Sequence, residues 1–468
     1  MIERLLKVLE RVFEERIRRR VDISDNQMGF MPGRSTVDAI FAVRQLMEKH
    51  ERVGKEIFMV FIDLEKAFDR VPREVIWWAL RKKGVPEPEV RAVMEMYREA
   101  MTAVQVEGQL SEWFGVKVGV HQGSVLSPLL FAIVMDALTE DLGKNMREFL
   151  YADDVVILGD SWEDVGEKYV RWKEALESKG LKVSVGKTKA MRTGLKKLTE
   201  ALSAIDPCAI CGKRVMRNSI QCTLCQLWIH KRCSGVRSSL TNVVNYVCGR
   251  CDNVGDEDDD ERTVMLGDDE VEVVTEFCYL GDMLRCDGDV GRAVTARIRA
   301  GWRKFRELSN VLCGRVLSFK LKGRLYKACV RSVMCYGAEC WAMKIADTRR
   351  MQSTEMRMIR LMCGKTIKDR LPSAVLRERS DIEDIEEHLR GLRLRWFGHL
   401  ERMDVMNLTR RVREETVGGR MKRGRPKKTW EEILKDDMRR RDLRIDDALD
   451  RGRWRRRCRQ PVDPGKPG

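Results

Sequence analysis

Long hydrophobic runs are missing from this chain of 468 residues: no stretch approaches the roughly 18 consecutive apolar residues that a membrane-spanning helix needs. The N-terminal segment is charged and amphipathic and lacks the apolar centre of a signal peptide. A disulfide framework is also absent. Eight of the fifteen cysteines are scattered. The other seven lie between positions 208 and 251, where six form three close pairs and the seventh follows a histidine by three residues, a spacing typical of metal ligands in a reducing compartment. These absences predict a soluble, intracellular protein that does not contact a membrane.

Basic residues are abundant and unevenly distributed. Lys and Arg number 89 against 73 Asp and Glu, which gives a net charge of +16. Residues 390–459 alone contain 24 basic and 12 acidic residues. Because such an excess favours contact with a polyanion, we expect the C-terminal segment to bind nucleic acid without regard to its sequence.

Three aspartates follow or interrupt apolar runs that have the pattern of buried strands. Asp63 comes directly after IFMVFI, and Asp153 and Asp154 stand in the middle of FLYADDVVIL. Carboxylates at the ends of adjacent strands can converge on two divalent ions, and hard oxygen ligands suit Mg²⁺. The alternative for an isolated Asp-Asp pair is an ordinary hairpin turn, which is about as frequent.

Four motifs around these aspartates follow one another along the chain: FIDLEKAFDRV, HQGSVLSPLLF, YADDVVIL and GLKVSVGKTKAM. Their order and spacing resemble the palm motifs of non-LTR (LINE-type) reverse transcriptases. The upstream segment QMGFMPGRSTVDAIFAVRQLM resembles the passage from fingers to palm, and FCYLGDML resembles the strand pair that grips the primer end. The resemblance implies an α+β, right-hand polymerase fold that copies an RNA template into DNA from a DNA primer and deoxynucleoside triphosphates.

The resemblance also implies roles for individual residues. Asp63, Asp153 and Asp154 would hold the two catalytic Mg²⁺ ions. Phe68 would exclude a ribose 2′-hydroxyl and so select deoxynucleotides, the alternative being a phenylalanine that simply faces the core. Lys187 would act on the pyrophosphate group.

Other assignments concern the substrates. Lys189 competes with Lys187 for the pyrophosphate role, and either lysine could be a solvated residue at a strand end. Gln122 and Gly123 match the loop that positions the template and the incoming nucleotide, where glycine lets the backbone approach closely. The resemblance begins near the end of the fingers, so Arg34 would be the only remnant of the basic residues that contact the triphosphate. With no endonuclease ahead of it, we expect a truncated or degraded copy that polymerises poorly by itself.

Eight potential zinc ligands lie in four close pairs, which are Cys208 and Cys211, Cys222 and Cys225, His230 and Cys233, and Cys248 and Cys251. Eight ligands make two tetrahedral, structural Zn²⁺ sites. The ligand order, with Trp228 two residues before the histidine, resembles a PHD finger, in which the first and third pairs bind one zinc and the second and fourth pairs the other. A RING-type ubiquitin-ligase finger is the lesser alternative. A PHD finger implies a histone tail or another protein as partner, and a nuclear location.

These patterns divide the chain into five regions. We predict partial fingers and palm at 1–197, a two-zinc cross-brace finger with an acidic linker at 198–261, primer-grip strands at 262–289, a helical thumb-like region at 290–402, and a basic, partly disordered tail at 403–468. In the tail, RGRPKK at 423–428 resembles an AT-hook. The predicted function is RNA-directed DNA polymerisation. The alternative is an inactive remnant that acts through binding of the finger to chromatin or to another protein.

Overall fold

The computed structural model describes residues 2–98, 100–106, 108–142, 147–193, 219–221, 228–234, 262–421 and 427–459. In these ranges the strands are β1 (Phe58–Ile62), β2 (Met101–Thr102), β3 (Gln105–Val106), β4 (Gln109–Leu110), β5 (Phe114–Gly115), β6 (Glu148–Tyr151), β7 (Asp154–Gly159), β8 (Lys189–Arg192), β9 (Ser219–Gln221), β10 (Trp228–His230), β11 (Thr263–Leu266), β12 (Asp269–Val273), β13 (Glu276–Tyr279) and β14 (Asp282–Arg285).

The α-helices before the C-terminal half are α1 (Ile2–Arg18), α2 (Thr36–Val53), α3 (Ala67–Arg70), α4 (Arg73–Lys82), α5 (Glu87–Met96), α6 (Ser127–Thr139), α7 (Trp162–Glu177) and α8 (Lys231–Ser234). Those that follow are α9 (Gly291–Glu307), α10 (Ser309–Leu312), α11 (Phe319–Tyr326), α12 (Ser332–Met334), α13 (Ile345–Met362), α14 (Ser373–Ser380), α15 (Ile385–Glu401), α16 (Leu408–Glu414), α17 (Trp430–Arg440) and α18 (Arg451–Arg459). A π-helical turn at Lys327–Arg331 joins α11 to α12. Short 3-10 helices cover Glu140–Leu142, Ala338–Cys340, Ile367–Asp369 and Ile445–Ala448.

A six-stranded sheet organises the N-terminal half, with the strand order β11-β12-β8-β1-β7-β6. Its pairings are antiparallel except for β8 with β12, which is parallel. The five residues of β1 are all apolar and all buried, as expected for a strand whose two faces are both covered. The predicted mixture of helices and sheet is therefore confirmed.

The two faces of this sheet belong to different hydrophobic cores, because successive side chains of a strand point to opposite sides. Val60 and Ile62 of β1 join the core formed with α4, α6 and α7. Met59 and Phe61 join a second core that includes α2, the β13-β14 hairpin and the C-terminal helices. Phe277 of β13 stacks on Phe61 with ring centroids 4.3 Å apart, so the C-terminal half is built directly onto the sheet.

The region predicted as primer-grip strands, 262–289, divides into two hairpins. The hairpin β13-β14 covers FCYLGDML and confirms the expected strand pair. The hairpin β11-β12 instead joins the edge of the central sheet, where Glu272 pairs with Lys189 and Val273 with Ala190. The sequence did not indicate this parallel pairing, because the two strands lie about 80 residues apart in the chain. Residues 263–273 thus belong to the palm sheet rather than to a separate primer-grip unit.

The prediction of a partly disordered tail from residue 403 needs a larger correction. The described part of this segment is helical and contributes to the core. Trp430 and Trp454 are fully buried. The Trp430 ring lies edge-on to Phe41 of α2 with centroids 4.8 Å apart, and Lys49 Nζ of α2 donates to the backbone carbonyls of residues 412, 413 and 415. The basic composition indicated a partly disordered tail, whereas the buried tryptophans show that its described part packs in the core. Residues 423–426 of the AT-hook-like motif and the end at 460–468 lie outside the described residues, whereas Lys427 and Lys428 form ion pairs with Glu51 and Asp436.

Over the described ranges, the helices are each too short or too polar to traverse a bilayer.

Candidate active site

The three aspartates singled out by the sequence come together at one end of β1 and β7. These strands pair antiparallel with Ile62 opposite Val155, and the next step of that register places Asp63 beside Asp154. Asp153 lies in the two-residue turn between β6 and β7, since Tyr151 pairs with Asp154. The hairpin turn and the carboxylate cluster, which the sequence offered as alternatives, are therefore the same feature.

The electrostatics of this cluster favour a cation. Asp63 Oδ2 is buried and accepts no hydrogen bond from the described residues, and the Lys187 ammonium lies 3.3 Å from it. Desolvation raises the pKa of Asp153, and the charge of Asp63 raises it further. Desolvation also raises the pKa of Asp154 to about 6, with further contributions from the charges of Asp153 and Asp63. Bringing three carboxylates together in a partly desolvated site disfavours their ionisation, and a bound cation would relieve this cost.

The carboxylates do not form a closed ligand set by themselves. Within the ranges that the structure covers, no three His, Cys, Asp or Glu side chains are grouped closely enough to hold one metal ion. The donor set of hard, anionic carboxylate oxygens still fits Mg²⁺, which keeps several waters and needs few protein ligands.

The two competing lysines lie in different environments. Lys187 Nζ lies 3.3 Å from Asp63 Oδ2 and its side chain is mostly exposed. Lys189 Nζ is engaged by Glu272 Oε2 at 2.7 Å and donates to the carbonyl of Gly186. The loop that carries Lys187 is fixed to the end of β1, because the Ser184 amide donates to the Asp63 carbonyl at 2.8 Å. Lys187 is therefore the lysine at the carboxylates.

Phe68 lies on α3, five residues after Asp63, and is half-buried. Its ring stacks on Phe131 of α6 with centroids 4.3 Å apart and meets the edge of Phe30 at 5.9 Å. One side of the ring thus packs against the core and the other remains accessible. Both the core role and the substrate-facing role considered from the sequence are compatible with this placement.

Gln122 and Gly123 form an exposed loop next to α3. The Gln122 Nε2 amide donates to Asp69 Oδ1 at 2.8 Å, and the Val120 amide donates to the Phe68 carbonyl at 2.9 Å. Gly123 has a φ of 79° and faces open space, so its backbone conformation rather than its surroundings requires glycine. The structure therefore brings Phe68 and this loop together, as the sequence predicted.

The start of α6 fixes the far end of the same loop. The Ser124 hydroxyl accepts hydrogen bonds from the amides of Leu126 and Ser127, and Pro128 occupies the first turn, where its missing N–H costs nothing.

Arg34 is placed differently from the prediction. Its guanidinium forms an ion pair with Asp25 and also donates to the Asp25 carbonyl, and only 12% of its side chain is exposed. These contacts stabilise the turn before α2, so the structure gives its proposed contact with a triphosphate no support.

Sequence reasoning assigned no role to residues 26–29, which lie against the hairpin that carries Asp153 and Asp154. The Met28 amide donates to the Leu150 carbonyl at 2.7 Å, and the Leu150 amide donates to the Asn26 carbonyl at 2.9 Å. The pattern QMG, with a glycine two residues after a glutamine, was visible in the sequence. The sequence did not indicate that Gln27 is buried or which distant segment it contacts.

Most of the predicted zinc ligands, namely Cys208, Cys211, Cys222, Cys225, Cys248 and Cys251, lie outside the described residues. The two described ligands are His230 at the end of β10 and Cys233 in α8. Cys233 Sγ lies 3.9 Å from His230 Nδ1, so the third ligand pair is close together. The zinc finger itself stays a prediction.

Comparison with known proteins identifies the N-terminal half. Residues 1–232 match the family described as reverse transcriptase (RNA-dependent DNA polymerase). This range contains β1, β6, β7 and β8 together with the three aspartates. The predicted reverse transcriptase domain is therefore confirmed for this part of the chain.

The curated relatives are proteins of mobile elements. The Pol polyprotein of the type-1 retrotransposable element R2 of Nasonia vitripennis is 27% identical over 187 residues, which cover 38% of this chain and 18% of that protein. The corresponding R2DM polyprotein of Drosophila melanogaster is 26% identical over 192 residues, or 39% of this chain and 18% of that protein. A probable RNA-directed DNA polymerase from transposon BS of Drosophila melanogaster is 28% identical over 169 residues, or 34% and 18%. The chain thus spans about a fifth of the length of these relatives.

Proposed function

We propose that this chain is the palm-bearing part of an RNA-directed DNA polymerase of a non-LTR retroelement. The observation that carries the proposal is the meeting of Asp63, Asp153 and Asp154 at adjacent strand ends, inside the part of the chain that matches reverse transcriptases. The substrates would be an RNA template, a DNA primer and deoxynucleoside triphosphates.

Two Mg²⁺ ions would be held by Asp63, Asp153 and Asp154, which the meeting of these carboxylates at adjacent strand ends and the raised pKa values of Asp153 and Asp154 support. When bound, such ions activate the primer 3′-hydroxyl and stabilise the charge of the leaving pyrophosphate. Lys187 would place a cation beside the same site. Its exposed ammonium can reach toward a triphosphate because Asp63 does not enclose it.

Phe68 and the Gln122 loop would form the nucleotide side of the site. The Phe68 ring is held by its stack on Phe131, so it would present a fixed edge against a ribose 2′-hydroxyl. Gln122 and Gly123 would set the loop that faces the template and the incoming nucleotide. The hydrogen bond from Gln122 to Asp69 ties this loop to the helix that carries Phe68.

The proposal is tested with Asp153→Asn, which keeps the shape of the side chain and removes a charged ligand. Primer extension on RNA should be abolished, and binding of Mn²⁺, measured by electron paramagnetic resonance as a substitute for Mg²⁺, should weaken. The matched control is Asp160→Asn just after the far end of β7, where the carboxylate is paired with Arg147 outside the cluster. Equal Mn²⁺ affinity in the wild-type and Asp153→Asn chains would refute the metal assignment, and so would equal extension by the two chains under conditions in which the wild-type chain extends the primer.

Nucleotide selection is tested at Phe68. Replacing Phe68 by Val should admit ribonucleotides, because the smaller side chain leaves room for the 2′-hydroxyl. The competition between deoxynucleotide and ribonucleotide incorporation measures this change. Unchanged discrimination, with extension otherwise intact, would assign Phe68 to packing against Phe131 alone.

We propose further that residues 208–251 form a PHD-type finger with two structural zinc ions, a protein or histone-tail partner and hence a nuclear role. The 3.9 Å approach of Cys233 to His230 supports the third ligand pair. Metal analysis of the full chain should return two zinc ions, and Cys222→Ala should release one of them while the palm stays folded. A zinc content below two would reject the interleaved arrangement.

A further inference from the structure

Gln27 accepts two hydrogen bonds, one of which joins the start of the palm to the turn of the β6-β7 hairpin. Its side chain is almost completely buried. Gln27 Oε1 accepts from the Gly29 amide at 3.0 Å and from the Ala152 amide at 3.2 Å. Because two N–H donors face the same atom, that atom must be the oxygen of the side-chain amide.

The backbone around Gln27 reinforces this connection. Residues 26–28 lie alongside β6 and form a parallel bridge between Gln27 and Leu150. At Gly29 a Cβ atom would come within 2.3 Å of the Ala152 nitrogen. The two chain segments therefore approach too closely for any other residue at position 29, and Gln27 sits directly against the turn.

The turn needs such support. Ala152 has a φ of 62°, a left-handed conformation that is disfavoured for a residue with a Cβ. Asp153 and Asp154 follow immediately, so a change in the conformation of Ala152 would move both carboxylates. An external acceptor for the Ala152 amide favours the observed conformation.

We propose that Gln27 is a positioning residue, which fixes the turn conformation and thereby the placement of Asp153 and Asp154. This inference rests on the proposed function, in which these carboxylates bind the metal ions. Gln27 would act through the turn and not by contact with substrate or metal, because its side chain is almost completely buried. Its Nε2 has no hydrogen-bond partner in the described part of the chain, so its contribution comes from the acceptor oxygen.

The decisive measurement is residue-resolved hydrogen exchange of the Ala152 amide in Gln27→Met, a variant of similar size without an acceptor. Loss of the hydrogen bond should speed exchange at Ala152 by about fivefold to tenfold, relative to buried amides of β1 such as that of Val60. Gln27→Glu keeps an acceptor oxygen and should retain most of the protection. Gln45→Met is the matched control, because Gln45 is a buried glutamine on α2.

The expected functional consequence is a several-fold weaker affinity for Mn²⁺ and a higher Mg²⁺ requirement for extension, with an unchanged KM for primer and template. Equal acceleration at Ala152 and Val60 would show that Gln27 only stabilises the fold, and no acceleration would show that the bond is unimportant. Either result overturns the inference. If the wild-type and Asp153→Asn chains bind Mn²⁺ equally, the proposed function fails instead, and exchange at Ala152 still reports separately on Gln27.

Discussion

The three clustered carboxylates of the palm and the buried carboxylates of the C-terminal half have different neighbours. In the palm, Asp153 and Asp154 are partly desolvated next to Asp63, and their pKa values are raised. In the C-terminal half, buried acids are matched by arginines. Glu355 meets Arg331 at 2.7 Å, and Asp437 meets Arg393 at 2.8 Å.

This difference distinguishes the proposed metal-binding cluster from structural ion pairs. A buried acid with a guanidinium partner holds elements together, and losing the partner leaves an uncompensated charge. Acids that are grouped with each other oppose folding near neutral pH and persist because something else, such as a metal ion, stabilises them. Four measurements test this difference between the palm and the C-terminal half.

The largest effect is expected in the C-terminal half at Trp430. Trp430→Ala should lower the free energy of unfolding by up to about 5 kcal/mol, because the side chain is fully buried, packs on Phe41 and donates its Nε1–H to the Glu339 carbonyl. Urea denaturation measures the change, and Met421→Ala, at an exposed position of the same segment, should have little effect. If Trp430→Ala left the free energy of unfolding unchanged, the segment around Trp430 would not contribute to the core.

A slightly smaller effect is expected from Arg331→Met. Removing this guanidinium leaves Glu355 buried without its partner, which should cost about 3 to 5 kcal/mol of stability. Denaturant unfolding gives the value, and the double variant Arg331→Met with Glu355→Gln should recover part of the loss. If Arg331→Met left the stability unchanged, the buried acids of the C-terminal half would not depend on their arginine partners, and the difference from the palm would not hold.

In the palm, removing a carboxylate should stabilise the folded protein instead. The pKa of Asp154 lies near 6 in the folded protein, above its ordinary value of 3.8. Ionisation therefore opposes folding above about pH 6, and this penalty is lost as the pH falls toward about 4. Asp154→Asn should raise the melting temperature near neutral pH without metal, and by less near pH 4.

Asp282→Asn is the matched control for that experiment. Asp282 is fully buried and is paired with Arg44 at 2.7 Å, so its replacement should lower the melting temperature near neutral pH. Destabilisation by both variants would mean that Asp154 is a structural acid like Asp282.

The smallest effect concerns nucleic-acid binding by α18, where the side chains of Arg455 and Arg456 are exposed and that of Trp454 is buried. Replacing both by Gln should reduce the dependence of log Kd on log salt concentration by up to about 2, because each contact with a phosphate contributes about 0.9. This change tests the predicted basic contact better than deletion of the tail, which would remove core residues. An unchanged slope, equal to that of the control Arg81→Gln, would place the contact elsewhere.

The sequence predicted the parts of the site that depend on local pattern. Apolar runs that end in Asp63 and Asp153 located both strands, and the spacing of Phe68 and Gln122 located the elements beside them. It did not predict the partners of single side chains. Arg34 is held by Asp25, Lys189 is engaged by Glu272 across 83 residues, and Gln27 reaches a turn 125 residues away. Contacts of this kind depend on which segments the fold brings together.

The sequence alone was enough to predict the reverse transcriptase motifs within residues 1–232, because ordered motifs and apolar periodicity are properties of contiguous residues. It also determined the positive charge of the C-terminal segment. Only the tertiary structure decided what that segment does in the fold. Most of the charged residues in α16, α17 and α18 face solvent or form ion pairs, while Trp430 and Trp454 are buried in the core that covers one face of the palm sheet. Composition averages over all faces of a helix, whereas packing depends on the one face that is buried.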